Sequence, residues 1–302
     1  MIPLSVPNIN GNEWEYVKDC LDTGWVSSTG EYVNKFEEAI QNYTGANHAI
    51  ACVNGTAGLQ VSLKLAGVSS NDIVIAPNLT FVATLNAIKY SGADIILVDV
   101  FEDSWQIDIN LLQRWLENHT KIIVVNGKKI TIEKTTEKKI GAIMPVYVLG
   151  RFININKLLD ISSKYGIPII EDSTEALGSF KNGKHAGTFG LTGVLSFNGN
   201  KIITTGGGGA VLTNSKIIAE KVLKLTTLGR KKHPWKFIFE TNGYNYRLPS
   251  VNASLGISQL KKVNKLKNNN RILFKKYSNF FNSSNIAKVF ADGKNSKSNY
   301  WL

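Results

Sequence analysis

Cysteine, histidine and long apolar runs are all scarce in this 302-residue sequence, and each shortage excludes a class of protein. The two cysteines, Cys20 and Cys52, stand far apart without metal-ligand spacing, so we expect free thiols in a reducing cytoplasm. The four histidines are scattered, and we therefore expect no metal site. Residues 1–7 have neither the basic nor the apolar segment of a signal peptide, and no apolar run is long enough to cross a bilayer. The sequence thus predicts a cytoplasmic protein that binds no membrane.

The composition is that of an ordinary soluble globular protein, but its charge balance is strongly positive. Hydrophobic residues make up 43% of the chain, charged residues make up 19%, and the formal net charge is +12. The basic stretch at 261–271 has the spacing of an amphipathic helix, whose charged face is most simply solvated. Lysine and asparagine are also abundant along the whole chain. The excess charge therefore indicates a compositional bias, or an anionic small-molecule ligand, rather than a nucleic-acid partner.

Short apolar runs alternate with segments of helical periodicity along most of the chain, which predicts an α/β fold with a mostly parallel sheet. A strand at 49–53 is followed by Asn-Gly-Thr-Ala-Gly at 54–58 and the start of a helix. Such a turn of small residues presents free backbone N–H groups, which suits a phosphate. The run at 167–170 predicts another strand, with Glu171 and Asp172 at its carboxyl end, where ligands of open α/β sheets bind.

Two Asn-Gly pairs predict β-hairpins. Asn126-Gly127 lies between two β-type runs and predicts a hairpin insertion over residues 121–140. Asn182-Gly183 lies in a segment whose first part fits a phosphate-loop pattern. His185 stands where that pattern requires Ser or Thr, so we interpret this segment as a hairpin and disfavour an NTPase.

The pattern becomes more helical towards the end of the chain, with helices predicted at 253–267 and 271–281. Strand-like sequence follows at 287–290 and 298–302. We therefore expect a large α/β domain over residues 1–250. Residues 251–302 would begin a smaller α+β domain that is incomplete, as in a truncated chain.

The segment around which the chain is organised is Ser196–Gly209, which contains Lys201 and four consecutive glycines. Apolar runs on both sides predict a strand, a tight turn and a second strand, with Lys201 projecting from the turn. A lysine confined in such a place can lose its proton and attack a carbonyl group as a free amine. The alternative is an ordinary solvated lysine on a hairpin.

The other groups that an aldehyde cofactor with a ring nitrogen and a phosphate would need are also present. Lys201 supplies an amine for a Schiff base, and Asp172 supplies a carboxylate that can hold a ring nitrogen protonated. The candidate phosphate donors and the candidate aromatic cover for the ring are Gly55, Thr56, Ser196 and Phe81. Each of these residues is ordinary alone, and the hypothesis depends on their joint presence.

Several motifs along the chain, taken in order and spacing, resemble one known family. They are Gly24–Ser28, Asn54–Ala57, Pro77–Thr84, Glu171–Gly178, Ser196–Gly209 and Gly243–Leu248. The sequence is similar to the DegT/DnrJ/StrS family of pyridoxal-phosphate-dependent sugar aminotransferases. The hairpin insertion and the Ser-Phe-Asn-Gly-Asn-Lys form resemble most closely the branch that makes bacillosamine- or legionaminic-type 4-amino sugars. The resemblance implies transferase fold type I, with a mostly parallel seven-stranded central sheet flanked by helices.

The resemblance also implies roles for the cofactor-binding residues. Lys201 would bond covalently to pyridoxal 5'-phosphate and later carry the proton between the cofactor and carbon 4 of the sugar. Asp172 would pair with the ring nitrogen. Glu175, where the family often has glutamine, would lie near the ring hydroxyl. The phosphate would be bound by Gly55, Thr56 and Ser196, and the ring would be covered by Phe81.

Further residues would contact the substrate. The resemblance implies a homodimer with shared sites, in which Asn245 and Arg247 reach the site from the partner subunit. Tyr147, where relatives commonly have histidine, and Arg151 would lie at the sugar end of the site. Trp25 lies in a loop of small polar residues and suits either a ligand rim or a core anchor.

These observations predict a cytoplasmic, homodimeric transaminase. Glutamate would donate its amino group, and a UDP- or GDP-linked 4-keto-6-deoxy sugar would receive it, for surface glycan synthesis. The presence of Lys201 disfavours the dehydratase relatives that carry histidine there. The alternative is a truncated, catalytically impaired relative with a binding or regulatory role. A basic nucleic-acid-binding protein is a third hypothesis, and it leaves the Asp172–Lys201 pair unexplained.

Overall fold

The computed structural model describes residues 3–231, 233–284, 286–287 and 289–302. Its α-helices are α1 (Glu13–Asp22), α2 (Glu31–Thr44), α3 (Gly55–Leu65), α4 (Val82–Tyr90), α5 (Ile109–His119), α6 (Ile155–Tyr165), α7 (Lys216–Thr226) and α8 (Ser250–Ser284). Its longer strands are β1 (His48–Cys52), β2 (Asp72–Pro77), β3 (Asp94–Val98), β4 (Thr120–Val125), β5 (Lys128–Glu133), β6 (Lys139–Ile143), β7 (Ile170–Asp172), β10 (Thr192–Ser196) and β11 (Gly209–Thr213). Two-residue strands are β8 (Phe180–Lys181), β9 (Lys184–His185), β12 (Arg230–Lys231), β13 (Ile238–Phe239) and β14 (Ser296–Lys297).

The two larger sheets contain both parallel and antiparallel pairs. A four-stranded sheet has the order β1-β11-β10-β7, and a five-stranded sheet has the order β3-β2-β6-β5-β4. Strand β2 is parallel to β3 and β6, and β10 is parallel to β7, whereas β11 is antiparallel to both of its neighbours. Parallel bridges between Ile143 and Ile169 and between Val146 and Asp172 connect the two sheets. The α/β class is confirmed, and the sheets are mixed.

Helix α3 packs closely on the four-stranded sheet because its first turns consist of small residues. Asn54 caps the helix, since its side-chain oxygen accepts a hydrogen bond from the Ala57 N–H at 2.8 Å. A Cβ atom at Gly58 would lie 2.8 Å from Cγ1 of Val194 on β10. Glycine therefore allows the start of α3 to lie directly against the sheet, beside the end of β10.

Both hairpins that the Asn-Gly pairs predict are present. Strands β4 and β5 pair from Thr120–Glu133 to Val125–Lys128. Asn126 and Gly127 connect them with φ angles of 50° and 74°, as a type I′ turn requires. The shorter β8–β9 hairpin likewise turns on Asn182 and Gly183.

The end of the chain differs from the prediction. One helix, α8, spans Ser250–Ser284 where we expected two. The expected break at Asn268–Asn270 contains neither proline nor glycine, and asparagine alone lowers helix propensity too little to end a helix that packs on α1 and α2.

The two strands expected near the end of the chain were also wrong. Position 288, within the first of them, lies outside the described residues. Only Ser296–Lys297 forms a strand in this part of the described chain, and it pairs with β8. Residues 298–302 are a loop. The domain boundary at residue 250 stays a prediction. Among the described helices, none is both long and apolar enough to cross a membrane.

Candidate functional site

A cavity of about 280 Å³ lies where β7 and β10 end and α3 begins. Seven of the residues that the sequence singles out line it: Gly55, Thr56, Phe81, Asp172, Glu175, Ser196 and Lys201. The cavity therefore brings together residues that come from four separate segments of the chain. The amine and the carboxylate on which the hypothesis depends face the same space.

Asp172 is the last residue of β7, and three donors fix its carboxylate. The side chain is almost completely buried, with 3% of the residue exposed. The Thr84 hydroxyl donates to Oδ2 at 2.7 Å, and the Thr174 hydroxyl donates to Oδ1 at 2.7 Å. The backbone N–H of Thr174 also donates to Oδ1, at 3.2 Å. A carboxylate held in this way needs little reorganisation to face a cationic ring nitrogen.

Lys201 lies in a loop that is longer than the predicted tight turn. Pairing of β10 with β11 ends at Ser196 and Gly209, and residues 197–208 connect the two strands. The Phe197 N–H donates to the Gly208 carbonyl at 2.8 Å, which closes the base of this loop. Only 13% of the Lys201 side chain is exposed. The lysine is therefore confined, and the alternative of a solvated hairpin lysine was wrong.

Glu175 faces Lys201 across the cavity. Its Oε1 lies 3.7 Å from Nζ of Lys201, and its Oε2 accepts a hydrogen bond from the Leu149 N–H at 2.8 Å. Burial lowers the pKa of Lys201, and the negative charges of Glu175 and Asp172 oppose that shift without cancelling it. Burial likewise raises the pKa of Glu175, against the opposing charge of Lys201. Both groups are therefore pushed towards their neutral forms, which suits an amine that acts as a nucleophile and a base.

The start of α3 forms the part of the cavity that suits an anion. Gly55 and Thr56 are the first two helical residues, and Ser196 at the end of β10 faces them. A Cβ atom at Gly55 would lie 2.9 Å from Cγ2 of Thr174 and 3.2 Å from Cβ of Ser196. Glycine keeps this corner open, and the first turn of a helix favours a phosphate through its N–H groups and its dipole.

Phe81 lies at the mouth of the cavity, immediately before α4. Its side chain is largely uncovered, with 72% of the residue exposed. An exposed phenyl ring beside a polar cavity can cover a planar ligand. The lining thus combines an amine, a buried carboxylate, an anion-binding helix start and an aromatic face, which fits an aromatic aldehyde that carries a phosphate.

Three residues predicted to contact the substrate lie elsewhere. Tyr147 is fully buried, and its hydroxyl donates to the Glu171 carboxylate. Arg151 donates to the carbonyls of Ser104 and Ala291, at 3.1 and 2.7 Å.

Arg247 is the third of these residues, and it forms a largely buried ion pair with Glu37. It also donates to the Ala51 carbonyl at 3.1 Å. The polar ends of Tyr147, Arg151 and Arg247 are therefore bonded within the chain, outside the cavity lining, and their expected contacts with a ligand stay predictions.

Trp25 and Asn245 also lie outside the cavity lining. Trp25 belongs to the loop between α1 and α2, and 59% of it is exposed, so the alternative of a core anchor was wrong. Asn245 is exposed and forms an antiparallel bridge with Thr227. Their expected contacts with substrate and cofactor stay predictions.

Sequence reasoning missed several residues of the site. Thr84 and Thr174 hold Asp172, and both stand inside motifs that the sequence offered, so the hydroxyl next to a strand-end carboxylate was an available signal. Trp301 was not predicted, because nothing local connects it with Lys201. Its ring centroid lies 4.0 Å from Nζ of Lys201.

Comparison with known proteins gives a consistent result. A family model described as the DegT/DnrJ/EryC1/StrS aminotransferase family matches residues 7–302. A GDP-perosamine synthase of Escherichia coli O157:H7 is 34% identical over 301 residues, which are 100% of this chain and 76% of the relative. A GDP-perosamine synthase of Caulobacter vibrioides is 36% identical over 262 residues, covering 87% of this chain and 65% of the relative.

Another relative and two solved structures extend the comparison. The putative pyridoxal phosphate-dependent aminotransferase EpsN of Bacillus subtilis is 33% identical over 301 residues, covering 100% of this chain and 74% of the relative. PseC of Helicobacter pylori, an aminotransferase involved in the biosynthesis of pseudoaminic acid, superposes with a TM-score of 0.84 at 25% identity, covering 99% of this chain and 76% of PseC. The putative sugar aminotransferase Spr1654 of Streptococcus pneumoniae shares the fold, with a TM-score of 0.86 at 24% identity, covering 100% of this chain and 78% of Spr1654.

Proposed function

Because this chain belongs to the DegT/DnrJ/EryC1/StrS aminotransferase family, we propose that it transfers an amino group from glutamate to a nucleotide-linked 4-keto-6-deoxy sugar. The observation that carries this proposal is that Lys201 and Asp172 line one cavity beside the start of α3. The matches to aminotransferases favour this reading over the alternative of a binding or regulatory protein.

The cofactor of the proposed reaction is pyridoxal 5'-phosphate. The names of EpsN and of the family fit it, and so does the set of donors in the cavity. The residues that would hold it are Lys201, Asp172, Gly55, Thr56, Ser196 and Phe81. When bound, the cofactor supplies an electrophilic aldehyde and a ring that accepts an electron pair.

The chain's own residues perform three tasks in this mechanism. Lys201, whose pKa is lowered by burial, would hold the cofactor through its aldehyde group, and as a free amine it would take a proton at one carbon and return it at another. Asp172, oriented by Thr84 and Thr174, holds the proton on the ring nitrogen. The first turn of α3 would bind the phosphate.

The substrate class is proposed from the relatives and from the charge of the chain. Two of the similar proteins are GDP-perosamine synthases, and PseC acts in the biosynthesis of pseudoaminic acid. The net charge of +12 suits a ligand that carries a diphosphate. We therefore propose a UDP- or GDP-linked keto sugar as the amino acceptor, in surface glycan synthesis in the cytoplasm.

We also infer that two copies of the chain associate and share their sites. Asn245 is exposed and lies outside the cavity of its own chain, which leaves it available to a second copy. The parallel bridges between β6 and β7 support a continuous row of seven strands, β3-β2-β6-β7-β10-β11-β1, as fold type I requires. In this proposal the cavity is completed by the second copy.

The cofactor is tested by absorbance. The protein is mixed with pyridoxal phosphate and dialysed, and we expect a protein-bound band that the Lys201→Ala variant lacks. Activity is then measured with glutamate and a panel of UDP- and GDP-linked 4-keto sugars. A protein that gives no bound band, or that binds the cofactor and aminates no member of the panel, contradicts the proposal.

The shared site is tested by mixing two variants. Lys201→Ala and Asn245→Ala each damage the sites of their own homodimers. In mixed dimers, one of the two sites receives an intact Lys201 and an intact Asn245. Subunit exchange should therefore restore about a quarter of the wild-type sites. A mixture no more active than its components contradicts the shared site, while the single-variant results still report on the amination itself.

A further inference from the structure

Trp301 lies directly against the lysine on which the proposed function depends. Its ring centroid is 4.0 Å from Nζ of Lys201, and both residues line the cavity. The indole N–H donates to the Asn200 carbonyl at 2.6 Å, which ties the ring to the loop that carries the lysine. The indole therefore contacts this loop twice. Its face lies on the Lys201 amine, and its edge donates to the adjacent residue, Asn200.

Asn299 holds the backbone that presents this ring. It is fully buried, and its side-chain amide donates to the carbonyls of Glu175 at 2.7 Å and Leu177 at 3.0 Å. Its backbone N–H donates to the Ser179 hydroxyl at 3.0 Å. Its side-chain oxygen accepts the N–H of Trp301 at 3.1 Å. Asn299 thus connects the segment that follows the cavity carboxylate Glu175 with the segment that carries Trp301.

A glycine makes room for Asn299. A Cβ atom at Gly150 would lie 2.1 Å from the side-chain oxygen of Asn299, and the φ of Gly150 is +71°. Only glycine combines this backbone conformation with so close an approach. The position of Trp301 is therefore built into the fold through several buried contacts, which a ring that merely rests on the surface would lack.

The ring face has a chemical effect on the amine. The face of an indole is negative and attracts an ammonium group, more strongly where water is excluded. The charged groups that face Lys201 are Glu175, at 3.7 Å, and Asp172 in the same cavity. Burial favours the neutral amine, whereas these two carboxylates and the indole favour the ammonium form.

We propose that Trp301 is a positioning residue that holds the Lys201 side chain in the cavity and stabilises its protonated form. The role of Trp301 in the reaction rests on the proposed function. A group that takes a proton at one carbon and returns it at another needs both protonation states within reach at the working pH. Without the indole, Lys201 would remain a base but would be a poorer source of the returned proton.

The inference is tested on the full chain without cofactor or sugar. The protein is methylated with formaldehyde and a borane reductant over a range of pH, and peptide mass spectrometry gives the rate at Lys201. The exposed Lys221 is the internal reference. The variants are Trp301→Leu, which removes the aromatic face and keeps an apolar group, and Trp301→Phe, which keeps a ring. Trp235→Leu is the matched control, because that tryptophan is 90% exposed.

We expect the midpoint pH for methylation of Lys201 to fall by about one unit in Trp301→Leu, a tenfold change in the reactive fraction at a given pH. Trp301→Phe should recover part of the shift, and Trp235→Leu should show none. Unchanged rates at Lys221 show that the reagent acts equally on all variants, and unchanged circular dichroism spectra show that the variants are folded. A midpoint that stays constant overturns the inference, and so does one that rises, since a rise means that the indole only excludes water. Because no cofactor or sugar is used, failure of the amination assay leaves this result intact.

Discussion

Glu171 and Asp172 are neighbours at the end of β7, equally buried and chemically alike, yet the structure uses them differently. Successive side chains of a strand point to opposite sides of its sheet. The Glu171 carboxylate accepts backbone N–H groups from Gly187, Phe189 and Gly190 at 3.0, 2.7 and 2.6 Å, besides the hydroxyl of Tyr147. The Asp172 carboxylate instead lines the cavity and is held mainly by side-chain hydroxyls.

Burial alone therefore does not identify a carboxylate that takes part in the reaction. Glu171 fixes the segment 187–190 and has no room for a ligand, because four donors already surround its two oxygens. Asp172 keeps a side open to the cavity. We therefore assign stability to Glu171 and chemistry to Asp172. Substitution of Asp172 should lower activity with little change in stability, and substitution of Glu171 should do the reverse.

Asp172→Asn should have the largest effect and should act on the reaction. The amide keeps the shape, and its oxygen can accept from Thr174 while its NH2 group donates to the Thr84 hydroxyl, but it has no charge to hold a proton on a ring nitrogen. We expect kcat/KM with glutamate to fall about a thousandfold, and the free energy of unfolding to change by less than about 1 kcal/mol. Asp160→Asn, at an exposed position on α6, is the control. A variant that keeps a tenth of the activity would remove the distinction between the two carboxylates.

Glu171→Gln should have the next largest effect and should act on stability. The glutamine side chain has only one oxygen that can accept. Its NH2 group faces backbone N–H groups, which then have no acceptor. We expect the free energy of unfolding to fall by about 3 kcal/mol in urea titrations, because buried donors are left unpaired. Kinetic constants of the remaining folded protein should be nearly unchanged. The exposed Glu220→Gln is the control, and equal stability of the two variants would contradict the structural role.

A histidine just before the segment 187–190, which contacts Glu171, should make stability depend on pH. His185 is fully buried, its Nε2 accepts from the Gly178 N–H at 2.9 Å, and its Nδ1 donates to the Ala186 carbonyl. Burial lowers the pKa of His185 to about 4. The unfolded state therefore binds more protons below about pH 6.5, and stability is lost as the pH falls from there through about 4.

The expected size of this effect is about 2 kcal/mol between pH 7 and pH 5. It is measured by urea unfolding at both pH values, and the His185→Gln variant should lose correspondingly less stability over the same range. If both proteins lose the same amount, His185 does not titrate differently in the folded and unfolded states. A loss of activity below pH 5 could then not be attributed to unfolding of the segment around His185 and Glu171.

Local signals in the sequence predicted most elements and part of the site. The Asn-Gly pairs fixed both hairpins because their turn needs positive φ angles at consecutive residues. Asp172 followed from where parallel strands end, and the start of α3 followed from the turn of small residues at 54–58. These features depend on residues close together in the chain, which is why a sequence alone can reveal them.

The parts that were missed depend on contacts between distant residues. The role of Glu171 was missed, because its donors come from Tyr147 and from residues 187–190, which are distant in the chain. The contact of Trp301 with Lys201 likewise follows from the burial of Asn299. The continuous helix α8 was missed for the same reason, because packing on α1 and α2 outweighs the weak local preference of three asparagines.

Tyr147→Phe should have the smallest effect. It tests whether Tyr147 stabilises the fold, as Glu171 does, or faces the ligand, as we propose for Asp172. The variant loses one donor to Glu171, and the carboxylate keeps its three backbone N–H groups. We expect the free energy of unfolding to fall by about 1 kcal/mol, and KM for the sugar nucleotide to stay constant. A tenfold rise in KM with unchanged stability would instead place Tyr147 with Asp172, as a residue that faces the ligand.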